Sequence, residues 1–201
     1  MVFVLTEESS IANHFLAELR DKTVQKDPER FRRNMAILGE ILAYEISKRM
    51  EFQNTVIQTP LGEARTPLLK QSPVLVTVLR AGIPFFQGFQ NYFNFSEAGF
   101  IGAYRKEDTK EITIQLDYLA TPVLNGRDLI LIDPMLATGK SFVQAMEALL
   151  KNGTPRHVYV AAVVSAPEGI AFIQSKLQVP FTIFTVALDE GLNDHAYILP
   201  G

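Results

Sequence analysis

Leu129-Ile130-Leu131-Ile132-Asp133-Pro134-Met135-Leu136-Ala137-Thr138-Gly139-Lys140-Ser141 puts a strand, an acid and a small-residue turn in immediate succession. The first four residues read as a strand buried on both faces. Phe142, Met146, Leu149 and Leu150 follow at helical spacing and Gly153 supplies a stop, so the turn joins a strand to a helix. Such a junction favours anions. The first amides of a helix point outward without partners, Gly139 is free to take a positive φ, and Thr138 and Ser141 add hydroxyl donors. A carboxylate beside a phosphate cradle repels the phosphate unless it engages something else, such as sugar hydroxyls or a hydrated Mg²⁺. Asp133 in that place therefore predicts a phosphorylated sugar as the ligand.

Outward from this junction, strands alternate with helix-length segments. Val74 to Leu79 and residues 99–103, 129–132, 158–164 and 181–187 are short aliphatic runs that read as parallel strands of a doubly wound α/β sheet. Ligands of open α/β sheets sit at the carboxyl ends of the strands, and these ends lead to Arg80, Tyr104-Arg105, Asp133 and the Asp189 region. Residues 1–50 read as a helical N-terminal extension. Ile11, Phe15 and Leu19 share one face of its first helix, and Asp27-Pro28 caps a second helix running to about Met50. Phe31, Met35, Leu38, Leu42 and Ile46 form that helix's apolar stripe. Segment 51–73 alternates around Pro60-Leu61-Gly62 and predicts a β-hairpin on the sheet edge. Lys106 to Glu111 is a charged connection able to act as a lid. The aromatic run Phe85, Phe86, Phe89, Tyr92, Phe93 and Phe95 lacks interleaved basic residues and reads as core or dimer contact.

A chain of 201 residues with 47% apolar content buries one substantial core, so a single domain over 1–201 is expected, with residues 74–201 carrying the sheet and the site. The formal charge of −3 with interspersed signs argues against a nucleic-acid surface. The absence of cysteine excludes disulfides and thiolate metal sites. His14, His157 and His195 lack metal-ligand spacing. No signal peptide or long apolar span is present, so the reading is a soluble, cytoplasmic protein.

Two families of loop fit residues 133–141. A Walker A loop needs Gly-x4-Gly-Lys-[Ser/Thr]; Gly139-Lys140-Ser141 meets the second half, but Pro134 stands where the first glycine belongs, so a P-loop kinase or NTPase is the alternative. The form Asp133-Pro134-Met135-Leu136-Ala137-Thr138-Gly139 resembles the phosphoribosyl-pyrophosphate (PRPP) loop of type I phosphoribosyltransferases, most closely the uracil phosphoribosyltransferases. The resemblance spans nearly the whole chain. Phe31-Arg32 with Leu42-Ala43-Tyr44-Glu45 is similar to the family's N-terminal helix, Leu79-Arg80-Ala81-Gly82 to its pyrophosphate loop, and Tyr104-Arg105 to its second arginine site. Ala166-Pro167-Glu168-Gly169-Ile170 also matches, and residues 188–201 resemble the approach to uracil. Lys140 departs from the family's usual glycine. Family members also continue past the equivalent of Gly201 with Leu-Gly-Asp-Ala-Gly-Asp, so a missing tail is expected.

The resemblance implies the type I phosphoribosyltransferase fold and the formation of UMP and pyrophosphate from uracil and PRPP, a pyrimidine-salvage reaction. Asp133, Arg80 and Arg105 would be the catalytic residues. PRPP would lie on these three and on Pro134, Met135, Leu136, Ala137, Thr138, Gly139, Lys140 and Ser141. Tyr197, Ile198 and Gly201 would form the uracil site. Mg²⁺ would be held mainly by PRPP and water, with no direct protein ligand. A homodimer and a nucleotide effector such as GTP are further expectations, and a non-catalytic PRPP-binding regulator on the same fold is a third reading. Taken singly, Arg80 or Arg105 also reads as a surface ion pair and Asp133-Pro134 as a turn.

Overall fold

The computed structural model describes residues 1–106 and 113–201, and the side chains of 103–106 and 113–117 fall outside that description. Strand β1 (Val2–Val4) precedes helices α1 (Ala12–Arg20) and α2 (Pro28–Ser47), then the hairpin β2 (Phe52–Thr59) and β3 (Gly62–Leu69). Next come β4 (Val74–Leu79), α3 (Ile83–Tyr92), β5 (Ala98–Lys106), β6 (Thr113–Ala120) and β7 (Asp128–Ile132). The remainder is β8 (Met135–Leu136), α4 (Lys140–Leu149), β9 (His157–Ser165), α5 (Pro167–Lys176), β10 (Phe181–Leu188), β11 (Gly191–Leu192) and β12 (Ile198–Leu199). The main sheet has the order β1-β10-β9-β7-β4-β5-β6, with β8 paired to β9. Every pair along it is parallel except β5 with β6.

Alternation along the central strands sends successive side chains to opposite faces. Leu129 and Leu131 pack with Phe142, Met146, Ile170 and Ile173 of α4 and α5. Ile130 and Ile132 pack with Leu38, Leu42, Phe85 and Phe89 of α2 and α3. Burial on both faces is why this strand is apolar without interruption. The result is the expected doubly wound, mainly parallel sheet with helices on both sides.

Several local expectations need correction. The N-terminal segment is not helical throughout, since Val2–Val4 pair in parallel with β10 at the sheet's edge. In α1 the buried face is Ala12, Leu16 and Leu19, while Ile11 precedes the first turn and is 63% exposed. In α2, Asp27 accepts from the Glu29 and Arg30 amides as a cap and Pro28 takes the first helical position, both as read. Its buried stripe starts at Asn34 and Met35, with Phe31 left at the open end of the helix. The hairpin is present but does not extend the sheet: among the described residues β2 and β3 pair only with each other, and β1 and β6 form the main sheet's two edges. The strand β6 escaped the sequence reading, although Ile112, Ile114, Leu116 and Tyr118 alternate. Phe85, Phe86, Phe89 and Phe93 are core, whereas Tyr92 and Phe95 are exposed. The connection read as a lid lies, from residue 107 on, outside the described residues.

Candidate active site

Parallel pairing puts the carboxyl ends of β4, β5, β7, β9 and β10 on one rim. Thr77 is paired with Ile132, so the Arg80 turn leaves β4 just beyond the level at which Asp133 leaves β7. Arg105 is placed differently from the reading. It lies inside β5, whose end outruns β4 and pairs only with β6, with Arg105 opposite Ile114. The arginine therefore sits on a two-stranded ribbon projecting past the rim, and its side chain is outside the description.

Residues 133–139 are held from behind. Asp133 N–H donates to Ala161 O at 3.1 Å, and Pro134 O accepts from Val163 and Val164 at 2.9 and 3.1 Å. A two-residue strand, Met135–Leu136, pairs with the end of β9, an element the sequence reading had merged into the turn. Gly139 then takes φ 75° and starts α4 without a capping side chain. Thr138 Oγ1 reaches the Lys140 N–H at 3.4 Å, and the remaining first-turn amides have no partner within the helix. Gly169 of α5 packs directly behind: a Cβ there would lie 2.3 Å from Ala137 O. Pro134 is buried and its carbonyl is committed to β9, which does not suit the nucleotide-wrapping glycine of a Walker loop.

Asp133 is half-buried, and burial of its carboxyl pushes it up from the ordinary 3.8 to about 7. The Met135 N–H, donating to Oδ1 at 3.2 Å, pulls in the opposite direction but is outweighed. Such a carboxyl is poorly satisfied by the protein itself, so a sugar hydroxyl or a cation's water would find an acceptor there. Arg80 is exposed in the turn after β4 and forms no ion pair with a described residue. Below it, the buried Thr77 hydroxyl donates to Ile132 O at 3.0 Å, and Gly82 fits so closely that a Cβ would lie 2.2 Å from Thr77 Oγ1.

The chain beyond β10 folds back as a small antiparallel ribbon in which Leu192 pairs with Ile198 and Gly191 with Leu199. Asn193 Oδ1 accepts from the His195 and Tyr197 amides, closing the turn between them. Ile198 is 4% exposed and anchors the ribbon, whereas Tyr197 is 60% exposed. Gly201 N–H donates to Asp189 Oδ2 at 3.1 Å. Of the three residues read as a uracil site, Ile198 lies in this ribbon, Tyr197 at its turn and Gly201 two residues past its end. Among the described residues, no group of three His, Cys, Asp or Glu side chains is arranged to hold a metal, and no helix is long and apolar enough to cross a membrane.

Thr77, Glu168 and Arg20 were missed as supports of this site. Thr77 looked like one residue of a buried strand, Arg20 like the last residue of a helix, and their partners are 55 and 169 residues away. Glu168 had a signal, since it stands inside a quoted family motif.

The uracil phosphoribosyltransferase family model matches residues 6–201. The chain is 43% identical over 201 residues to a uracil phosphoribosyltransferase of Porphyromonas gingivalis, covering 100% of this chain and 93% of the relative. It is 37% identical over 198 residues to that of Pyrococcus furiosus, covering 97% and 84%. The solved structure of the AQ2163 protein from Aquifex aeolicus aligns with a TM-score of 0.87 and 30% identity over 100% of this chain and 93% of that one. A hypoxanthine-guanine phosphoribosyltransferase of Bacillus anthracis aligns with a TM-score of 0.51 at 12% identity over 79% of each chain, a likeness of fold alone.

Proposed function

The chain belongs to the uracil phosphoribosyltransferase family, and we propose that it joins uracil to PRPP, giving UMP and pyrophosphate. The observation that carries the assignment of residues is Asp133, a poorly satisfied carboxyl at a strand end, immediately followed by an uncapped helix start. In the reaction the bond from ribose C1 to pyrophosphate breaks as uracil N1 bonds to C1 and gives up its proton. Positive charge grows on the ribose and negative charge on the leaving group, so a preorganised site must match both. Asp133 binds the ribose hydroxyls and stabilises the cationic sugar. The amides of residues 135–139, with the Thr138 and Ser141 hydroxyls and the Lys140 charge, hold the 5′-phosphate. Arg80 and Arg105 offer fork-shaped donors to the pyrophosphate. Tyr197 and Ile198 take the uracil edge, with Gly201 closing the ribbon beside it.

A Mg²⁺ ion would be carried chiefly by PRPP oxygens and water, with Asp133 at the head of the loop available to its water shell. Such an ion supplies charge neutralisation on the pyrophosphate. A homodimer is the assembly this reading favours. The β2–β3 arm exposes Phe52, Val56, Ile57, Leu61 and Leu68, and a two-stranded hairpin is marginally stable on its own, so a second copy covering this surface would support it. A cytoplasmic location suits these substrates, and regulation by a nucleotide such as GTP rests on family likeness.

The test is pyrophosphate release from PRPP and Mg²⁺ with uracil, alongside hypoxanthine and no-base controls. Uracil-dependent release supports the reading. Release with hypoxanthine but not uracil, or binding of PRPP with no release under any condition, would replace it.

A further inference from the structure

We propose that Glu168 is a positioning residue for the base, fixing the β11–β12 ribbon against the phosphate-loop side of the site. The inference rests on the uracil phosphoribosyltransferase reading and names a residue that reading does not use.

The first turn of α5 touches both halves of the site. On one side its main chain is locked to the loop, and Ile170 and Ile173 share a core cluster with Leu136. Ala166 N–H donates to Leu136 O at 2.9 Å, a Cβ on Gly169 would lie 2.3 Å from Ala137 O and 2.9 Å from Leu136 O, and one on Gly139 would lie 2.7 Å from Gly169 O. Interlocked main chains of this kind leave little freedom for α5 to shift relative to the loop. On the other side the same turn carries Glu168, whose Oε1 accepts from the Leu192 N–H at 3.0 Å. The approach is close enough that a Cβ on Gly191 would lie 3.0 Å from the same oxygen.

Leu192 is the ribbon residue paired with Ile198, and Asn193 N–H donates to Tyr197 O at 2.9 Å. Hydrogen bonds therefore run from Leu136 through α5 and Glu168 to the pair that carries Tyr197 and Ile198. Glu168 is exposed, contributes nothing to either core cluster, and forms no ion pair with a described residue. Its carboxylate is spent on one amide of the ribbon. An anionic acceptor makes that bond stronger than a neutral one would. Because α5 is packed tightly against the loop, the Glu168–Leu192 bond couples the ribbon directly to the loop side of the site, while the Asp189–Gly201 bond and the burial of Ile198 hold the ribbon's other end. Orientation errors at a bond-forming centre are costly even when small.

The consequence is a change in handling of uracil that spares handling of PRPP. In Glu168→Ala, KM for uracil is expected to rise about tenfold, the loss of one charge-assisted hydrogen bond, with KM for PRPP within about twofold. Glu168→Gln keeps an oxygen acceptor for the Leu192 amide and should restore most of the loss. Amide exchange at Leu192, read by mass spectrometry or NMR on the same proteins, is expected to accelerate in Glu168→Ala and remain slow in Glu168→Gln. Unchanged uracil KM with unchanged Leu192 exchange in Glu168→Ala overturns the inference, as does an equal rise in both KM values. The wild-type control separates the two levels: absence of uracil-dependent release there rejects the functional reading itself, whereas wild-type activity with an indifferent Glu168→Ala rejects only the role of Glu168.

Discussion

Arg20, the last residue of α1, donates to Asp189 Oδ1 at 2.5 Å, while the other oxygen of the same carboxylate takes the Gly201 N–H at 3.1 Å. The N-terminal helices are thereby tied to the end of the base ribbon through a side chain that is 4% exposed. Removing one partner of such a pair leaves a shut-in charge, and the penalty of that unpaired group exceeds the attraction lost. Arg20→Ala is expected to lose about 2 kcal/mol of stability, below the full buried-pair value because Arg20 keeps access to water. Denaturant unfolding checks the loss. Combining it with Asp189→Asn should recover part of the stability, since the amide still accepts from Gly201 without needing a cation. A double variant less stable than Arg20→Ala would reject the unpaired charge as the cause.

Asp133→Asn separates activity from stability. Burial raises the folded carboxyl to about 7 from 3.8, so the unfolded chain sheds this proton at a lower pH than the folded one does. A raised acid favours folding fully only below 3.8, and that contribution is lost as pH rises through the folded value of about 7. At about pH 8 the asparagine variant, which never ionises, is therefore expected to be more stable than wild type, by at most about 4 kcal/mol and less as solvent screens the opening of the cleft. At about pH 3 the two should unfold together. Activity moves oppositely, with kcat falling because the sugar loses its countercharge. Equal melting temperatures at the higher pH, or an unchanged kcat, would show that the carboxyl does neither job.

On the proposed reaction, Arg80→Ala and Arg105→Ala each remove a donor proposed to meet charge that grows only as the pyrophosphate departs. By comparison with deletion of an oxyanion donor, about 2 to 4 kcal/mol of transition-state stabilisation should go from kcat/KM in each. Their positions differ, one in the turn beside Asp133 and the other on the projecting β5–β6 ribbon. Lysine at either position restores the charge without the fork and should recover only part of the loss. Full recovery by lysine would reduce the role to simple electrostatics.

How far the sequence disclosed this site follows from the range over which its signals act. Asp133, the helix start at Lys140 and the strand before them were legible because buried-strand composition, an acid and a positive-φ glycine are all local. The parallel sheet was legible for the same reason, repeated at each aliphatic run. Arg105 was placed at a strand end because the β-branched and aliphatic signal fades after Ala103, yet pairing with β6 carries the strand to Lys106. The detached hairpin was misplaced because alternation specifies a strand and leaves open which edge it joins. Arg20 and Asp189 illustrate the harder limit. The Asp189 region was read as a strand end leading to the site, but Arg20 looks ordinary in its own segment, and only tertiary folding brings its guanidinium to that carboxylate.

Thr77 tests whether the rim itself is tuned. Its hydroxyl is wholly buried, donates to Ile132 O at 3.0 Å, and sits against the space in which Gly82 turns the chain after Arg80. Thr77→Val keeps the branched shape but not the donor, so Ile132 O loses one bond inside the protein and the stability cost is about 1 to 2 kcal/mol. If the hydroxyl only fills space, kcat/KM for both substrates should survive in protein that remains folded. If it fixes Asp133 relative to the Arg80 turn, kcat should fall further than folding stability implies, because Ile132 directly precedes the carboxylate and Thr77 supports the turn holding the arginine. We expect the second result, with Thr77→Ser, which restores the hydroxyl and removes a methyl, recovering kcat while remaining slightly destabilised. Loss of kcat in Thr77→Ser equal to that in Thr77→Val would assign the effect to packing and leave the hydrogen bond without a part in catalysis.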